Sequence, residues 1–476
     1  MALGIFSVSL WQPWLERDPN QVALNHAGQT LTWQALDSQV AHYAKALREQ
    51  GVRSGEVVTL VGKNHLPTVL WFLACTQVGA LCAFVAPQPL ARLQEKLATL
   101  YAEQSPKHLW LAPSCALSEE EIAELNAHRL SLPDERDESV GGEKVSSQFS
   151  CEQLATLIFT SGSTGTPKAV THTHQQHLAS ARGLLNKFAF TESDSWLLSL
   201  PLYHISGVAI LYRWLAVGAT LKIGTGDLQN DIAGVTHASL VPTQLKRLLD
   251  GRSRLTLKRV LLGGSHIPVE LAQMAATRGI DTWLGYGMTE AASTVTAKRV
   301  DGLAGNGELL DHRELRLVDG RIFIAGKTLA QGYYRQGQLV PLTNEQGWFD
   351  SKDLGRWQGN NLLIDGRADN LFISGGENVH CEEIEAVLNQ HPHVQVAIVI
   401  PVQDSEFGAR PVAVIRSEAE WCQAIGDTWC QGKLEKFKWP IMYFLLPDAL
   451  LDGGIKVSRA AVKAWLAANQ TQFTPL

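Results

Sequence analysis

An α/β fold with parallel-rich sheets, followed by a small α+β domain, is what three features of this sequence predict. Strand-like apolar runs alternate with helix-like runs through most of the chain, and strands spaced this way pair in parallel under helical cover. At 476 residues the chain is longer than one hydrophobic core usually serves, so two or more domains are expected. After Asp365 the texture changes: Gly366-Arg367-Ala368-Asp369 is a short polar hinge candidate, and the residues beyond it could form a separate small domain. The expected division is residues 1–368 and 369–476, with the hinge near Asp369.

The elements are read in chain order. Leu36, Val40, Tyr43 and Leu47 share one helical face, with Gly51 as a stop. Val57–Val61 reads as a strand. Leu66 to Leu90 carries no charged residue and is long enough to raise a membrane-spanning reading. Pro67, Gln77, Gly79 and Pro87 divide it instead into a buried helix and a buried strand. Leu132 to Ser150 is polar and charged and reads as a long surface loop between two lobes. A strand starts near Leu154, and Arg259–Leu262 leads into a helix with Pro268 at its first position and Gly279 at its stop. In the last segment Glu382–Asn389 reads as a helix and Val394–Pro401 as a strand.

Composition excludes several function classes. With 45% hydrophobic and 18% charged residues the chain has a soluble globular make-up. A net charge of −6 argues against nucleic acid or an anionic membrane as the main partner. The seven cysteines (Cys75, Cys82, Cys115, Cys151, Cys381, Cys422 and Cys430) form no C-x-x-C pair. An odd, dispersed set suits free thiols in a reducing cytoplasm. Met1 to Leu10 lacks the basic start of a signal peptide.

The sharpest chemical signal is Thr160-Ser161-Gly162-Ser163-Thr164-Gly165-Thr166-Pro167-Lys168, directly after the apolar strand Leu154–Phe159. Small hydroxyl residues and glycines let backbone N–H groups converge on an anion, and Lys168 adds charge. The spacing G-x-x-x-x-G-K-[ST] cannot be laid on it, so it is not a Walker loop.

This run resembles the phosphate loop of the adenylate-forming enzymes: acyl-CoA ligases, peptide-synthetase adenylation domains and luciferases. Further motifs occur in that family's order over nearly the whole chain. Pro201-Leu202-Tyr203-His204 is similar to its aromatic gate, and Gly285-Tyr286-Gly287-Met288-Thr289-Glu290 to the motif whose Thr and Glu contact the nucleotide phosphates and Mg²⁺. Asp353 stands where the ribose-binding Asp is expected, although the usual T-G-D is here Ser351-Lys352-Asp353. Gly366-Arg367-Ala368-Asp369 is similar to the hinge motif, with Arg367 near the nucleotide and Asp369 as pivot. Lys456, in Gly454-Ile455-Lys456-Val457-Ser458-Arg459, is similar to the C-terminal catalytic lysine, with Ile where Gly usually precedes it.

The resemblance implies stacked α/β subdomains, a mobile C-terminal domain, and activation of a carboxylic acid with ATP, Mg²⁺ and coenzyme A. Lys456, Thr289, Glu290 and His204 would serve catalysis, with Glu290 as the metal ligand. Thr160 to Gly165, Lys168, Gly285, Tyr286, Gly287, Asp353 and Arg367 would hold the nucleotide. In the family the small domain rotates about the hinge to admit the thiol. Ser374-Gly375-Gly376-Glu377 then reads either as a thiol-facing loop or as an ordinary Gly turn. The implied partners are small molecules in the cytoplasm, with no nucleic acid or membrane, and a homodimer stays open. An inactive nucleotide binder is the rival from another class, and the intact Lys168, Glu290, Asp353, Arg367 and Lys456 speak against it.

Adenylation accounts for these residue types. A carboxylate must attack an α-phosphate, which brings two anions together and builds charge on the leaving pyrophosphate; lysines, backbone donors and Mg²⁺ offset that charge. The acid itself is indicated by Arg213, set between Tyr212 and Trp214 in the apolar segment Ile210–Val217. A buried cation there needs an anion from the protein or the substrate; the alternative is a surface arginine on an amphipathic helix. The simplest acid that fits carries a second carboxylate. By resemblance to diacid-activating members of the family, Arg213, Ser239, Ser293 and Thr294 would recognise it.

Overall fold

A helix that is apolar on every side must be covered on every side, and two such helices set the layering here. A computed structural model describes residues 9–133, 149–160, 167–251, 254–263, 267–452 and 456–469. Helix Leu66–Val78 buries residues around its whole circumference, from Val69 and Leu70 to Phe72 and Cys75. Helix Ile205–Val217 does the same and carries a single charged residue, Arg213. Both lie between two large sheets, with helices Trp33–Glu49 and His174–Leu185 beside them. One continuous core cluster joins Leu36, Phe72, Leu178 and Tyr212 of these helices to strand residues of both sheets, among them Leu60, Phe84, Trp196 and Leu221.

The first sheet has nine strands and the second eight. In the first, Val22–His26, Thr220–Ile223, Ser195–Leu198, His237–Leu240, Arg259–Leu262 and Asp281–Met288 run parallel. Antiparallel Ser293–Arg299 and Glu308–Leu309 extend one edge and Gln29–Thr32 the other. In the second, Val57–Val61 pairs in parallel with Leu81–Val85 and His108–Leu111, and Leu81–Val85 with Leu154–Thr160. Lys168–Thr173 and Gly332–Arg335 then add antiparallel strands. A third, four-stranded antiparallel sheet (Arg313–Val318, Arg321–Gly326, Phe349–Gln358, Asn361–Arg367) had no counterpart in the sequence pattern.

Beyond Arg367 lies another sheet, built from Leu371–Ser374, Glu377–His380, Val394–Asp404, Gly408–Ser417 and Tyr443–Leu445. It has its own two cores. Cys381, Ile384 and Leu388 of helix Cys381–Leu388 pack on one face with Cys430 and Tyr443, while Val462 and Leu466 of helix Arg459–Asn469 pack on the other.

The helix stop at Gly51 and the strands Val57–Val61 and Arg259–Leu262 stand where the sequence placed them. Leu66 to Leu90 divides into helix Leu66–Val78 and strand Leu81–Val85, and among the described residues no helix is long and apolar enough to cross a membrane. One boundary differs. Pro268 is the N-cap of helix Val269–Thr277, not its first residue, because its extended ψ of 132° keeps it outside the helical turn. The expected loop at 132–150 lies mostly outside the described residues. All seven cysteines are free thiols.

Helix Ile205–Val217 is seated tightly against the segment that leads into it. A methyl group added at Gly207 would fall inside contact distance of the Pro201 carbonyl and of Leu200 O. Gly207→Ala should therefore cost about 1–3 kcal/mol through overpacking, read as a lower denaturation midpoint at unchanged m-value. An unchanged midpoint would mean that the helix is not seated as described.

Candidate active site

The edges of three sheets and the helix Ile205–Val217 bring most of the sequence-selected residues into two neighbouring groups. The first is polar and charged. Thr160 and Lys168 are register partners at the ends of the antiparallel strands Leu154–Thr160 and Lys168–Thr173. Ser161 to Thr166, including Gly162, Ser163, Thr164 and Gly165, lie outside the described residues. Lys168 Nζ stands 5.3 Å from the ring centroid of Tyr333 on the adjoining strand. The Tyr333 hydroxyl donates to Glu290 Oε1 at 3.2 Å. Burial and this carboxylate both raise the Tyr333 pKa, so the phenol stays a donor and orients Glu290. Thr289 and Glu290 form a single 3₁₀ turn, anchored where the Glu290 carbonyl accepts from Ala330 N at 2.8 Å.

Asp353 is the second fixed point of this group. Its Oδ2 accepts from the Tyr286 hydroxyl at 2.5 Å and its Oδ1 from Arg367 Nη1 at 3.0 Å. Arg367 and Asp353 also face each other in strand register. Burial raises the Asp353 pKa, Tyr286 and Arg367 pull it back, and Glu382 and Glu290 push it further up. The departure from T-G-D has a structural answer. Lys352 adopts a positive φ of 63°, which glycine takes without strain, and its Nζ lies 3.8 Å from Asp369 Oδ2. Ser351 Oγ accepts from the Asp353 N–H at 3.1 Å. Arg367 Nη2 is also 3.6 Å from Asp369, so Asp369 is tied to both Lys352 and Arg367. Gly285 and Gly287 sit in strand Asp281–Met288, where Ser293–Arg299 approaches too closely for a side chain at either.

The second group is buried and is centred on a guanidinium, with a second one, Arg313, near it. Arg213 is 2% exposed, and its guanidinium lies over the Trp196 ring at 5.2 Å. Its Nε has no hydrogen-bond partner, and among the described residues no carboxylate forms an ion pair with it. Burial, and to a lesser degree Arg313, push its pKa down to about 9, which leaves it charged at neutral pH. The alternative of a surface arginine is thereby overturned. Ser239 is buried, with its Oγ unpartnered. Ser293 has a φ of 94° after Ala292 at 51°, and its Oγ lies 3.5 Å from Thr294 Oγ1. Two consecutive non-Gly residues in left-handed backbone cost roughly 1–3 kcal/mol each. Beside Arg213, Tyr212 binds His174 Nδ1 at 2.7 Å and stacks on His177. Burial pushes His174 down to about 3, so it adds no charge at neutral pH.

His204 and Lys456 are the remaining sequence-selected residues among those described. His204 is the N-cap residue of helix Ile205–Val217, its ring 4.9 Å from Tyr203. Lys456 lies in the two-residue strand Lys456–Val457, opposite Asp452. Sequence reasoning missed Tyr333, Arg313 and Ser180. Arg313, a charged residue at the inward-facing start of an alternating strand, carried a legible signal; Ser180 carried none.

Residues 11–334, which hold most of these side chains but not Asp353, Arg367, Asp369 or Lys456, match a known family model described as AMP-binding enzyme. The chain belongs to this family. Among AMP-binding enzymes it is 42% identical to the 2-succinylbenzoate–CoA ligase of Salmonella typhimurium, covering 96% of this chain and 98% of that one. It is similar to a solved single-residue variant of E. coli MenE with bound OSB-AMS, at 40% identity, TM-score 0.85 and coverage of 97% and 99%. It is also similar to the o-succinylbenzoate CoA synthetase (MenE) of Bacillus subtilis. That enzyme is solved with the acyl-adenylate intermediate OSB-AMP (26% identity, TM-score 0.81, coverage 96% and 98%) and with ATP and magnesium ion (26%, 0.80, 92% and 95%).

Burial of Arg213 has a stability consequence of opposite sign to its use. Replacing an uncompensated buried charge by an apolar residue of similar size stabilises by about 1–4 kcal/mol, so Arg213→Met should raise the unfolding midpoint of the ligand-free protein. The sign with pH follows from the lowered folded pKa. The charge penalty is complete below about 9 and fades as pH rises from there toward the ordinary 12.5, so the gap between variant and wild type should narrow above pH 9. A variant less stable than wild type at pH 7 would mean that the protein itself neutralises Arg213.

Proposed function

We propose that this AMP-binding enzyme is an ATP-dependent 2-succinylbenzoate–CoA ligase of menaquinone biosynthesis, forming o-succinylbenzoyl-CoA, AMP and pyrophosphate. The observation that carries this reading is Arg213, a buried guanidinium without a carboxylate partner among the described residues. An acid with a second carboxylate supplies the missing anion, while the carboxylate at its other end is activated. Ser239, Ser293 and Thr294 offer hydroxyls for the same end.

In the first half-reaction a substrate carboxylate oxygen attacks the α-phosphorus of ATP. The new O–P bond forms as the bond to the bridging oxygen breaks, and pyrophosphate leaves. Thr160 to Gly165 and Lys168 hold the phosphates, and Asp353, set by Tyr286 and Arg367, accepts from the ribose hydroxyls. Glu290 and its neighbour Thr289 face the phosphates. A single hard carboxylate oriented by a phenol suits a Mg²⁺ ion whose other ligands are waters and phosphates, and such an ion supplies positive charge to the leaving pyrophosphate. Lys456 adds charge at the reacting phosphate, and His204 borders the acid's entry.

In the second half-reaction the coenzyme A thiol loses its proton, its sulfur bonds to the acyl carbon, and AMP leaves with the electron pair. Residues 369–476 turn about Asp369 between the two steps, withdrawing Lys456, and the Ser374–Glu377 turn then meets the thiol. The ion pairs from Asp369 to Lys352 and Arg367 support a pivot there, because they connect it to the Asp353 site on the other side.

ATP–pyrophosphate exchange across o-succinylbenzoate, benzoate, succinate and octanoate tests the reading. Exchange is expected with o-succinylbenzoate alone, and Arg213→Met should lower it by roughly 10²-fold or more, the cost of leaving a buried carboxylate unpaired. Exchange with octanoate or benzoate instead would retain the chemistry and discard the substrate. Lys456→Ala should lose on the order of 10²-fold in adenylate formation yet make thioester from supplied acyl-adenylate at close to the wild-type rate. Equal loss of both half-reactions would remove the rotation step.

A further inference from the structure

A second buried guanidinium stands close to the first. Arg313 opens strand Arg313–Val318 and is 5% exposed. Its Nη1 donates to the Asp311 carbonyl at 2.8 Å, and its Nη2 donates to Ser180 O at 3.0 Å and Ser180 Oγ at 2.8 Å. Its Nε has no partner, and no carboxylate forms an ion pair with it among the described residues. The Asp311 carboxylate, two residues before it, accepts from Asn186 Nδ2 at 2.6 Å. Room for the guanidinium is made by Gly183 on the neighbouring helix, where a methyl group would collide with Arg313 Nη1.

The Ser180 hydroxyl passes the contact on. It donates to the Ala292 carbonyl at 2.5 Å. That carbonyl belongs to the left-handed step from Ala292 to Ser293, directly before Thr294. A hydroxyl that accepts from a cation becomes a stronger donor, so the chain from Arg313 through Ser180 to Ala292 holds a backbone conformation that the residues would not keep by themselves. Arg313 also repels Arg213 and helps lower its pKa, while the Asp311 charge offsets part of the cost of burying Arg313.

We propose that Arg313, acting through Ser180, is a positioning residue that fixes the Ala292–Thr294 turn, and that with Arg213 it selects an acid bearing a second carboxylate. This rests on the diacid reading above. A second buried cation near Arg213, which Asp311 offsets only in part, adds to the attraction for a second negative charge, and the turn brings Ser293 and Thr294 to the same end of the acid. Arg313 need not touch the acid for either effect.

The test is steady-state kinetics with o-succinylbenzoate, with its analogue lacking the ring carboxylate, and with ATP. Arg313→Gln should raise KM for the diacid by about tenfold, as loss of one nearby charge in a desolvated site does, while KM for the monoacid and for ATP stays within about twofold. Arg313→Lys keeps the charge without the fork, and its diacid KM should lie between the two. Ser180→Ala leaves the charge and breaks the relay, so it should raise the diacid KM with the ATP KM unchanged, and it carries the test if Arg313→Gln does not fold. Equal shifts for both acids, or a lower melting temperature with unchanged kinetic constants, would make Arg313 merely structural and overturn the inference. If wild-type enzyme itself shows no preference for the diacid, the substrate reading fails first and the inference falls with it.

Discussion

A buried guanidinium that pairs with no carboxylate among the described residues is an expensive arrangement, and the organisation around Arg213 follows from it. Arg213 cannot turn to solvent, because helix Ile205–Val217 is buried between two sheets and continuous with their shared core. It rests on the face of Trp196, which lowers the cost of burial without supplying a counter-charge. His237, whose ring centroid lies 5.6 Å from that of Trp196, is pushed down to about 4 by burial and adds no charge at neutral pH. A site of this kind is unstable when empty and satisfied when a small anion fills it. On the proposed reading, it spends folding free energy on selectivity for the acid.

The nucleotide side is organised on the opposite principle. There the charges are paired. Asp353 receives Tyr286 and Arg367, Asp369 lies near Lys352 and Arg367, and Tyr333 connects Lys168 to Glu290. Such a network is fixed before any ligand arrives, so it can present donors and carboxylates to phosphate and ribose with little reorganisation. It also draws on three separate sheets, since Tyr286, Asp353 and Tyr333 come from different ones. On the proposed reading, preorganised polarity stands where charge moves during reaction, and an unpaired charge where only recognition is needed.

Much of this was legible in the sequence because its physical cause is local. The division of Leu66 to Leu90 into helix and strand follows from Gly79 and the prolines, and the burial of Arg213 from the apolar residues on both sides of it. Asp353 and Arg367 were named from motifs, and their pairing across a hairpin keeps them close in sequence as well as in space. The four-stranded sheet around them was not foreseen, because its antiparallel strands depend on tertiary pairing more than on their own periodicity. Ser180 and Arg313 are separated by 133 positions, and nothing in either segment reports on the other. The positive φ at Lys352 was hidden for a different reason: a residue that rarely adopts that conformation does so here, beside an acidic partner from the hinge.

The proposed contact between Arg213 and the second carboxylate of the acid is the one on which the substrate reading depends, and a double-mutant cycle measures it directly. Affinities of wild type and Arg213→Met would be compared for two non-hydrolysable acyl-adenylate analogues, one bearing the ring carboxylate and one lacking it. The expected coupling between side chain and carboxylate is about 1.5 kcal/mol or more, as close charge pairs in desolvated sites show. A coupling near zero, with both analogues weakened equally or neither weakened, would contradict that contact and leave Arg213 without the role that its burial implies.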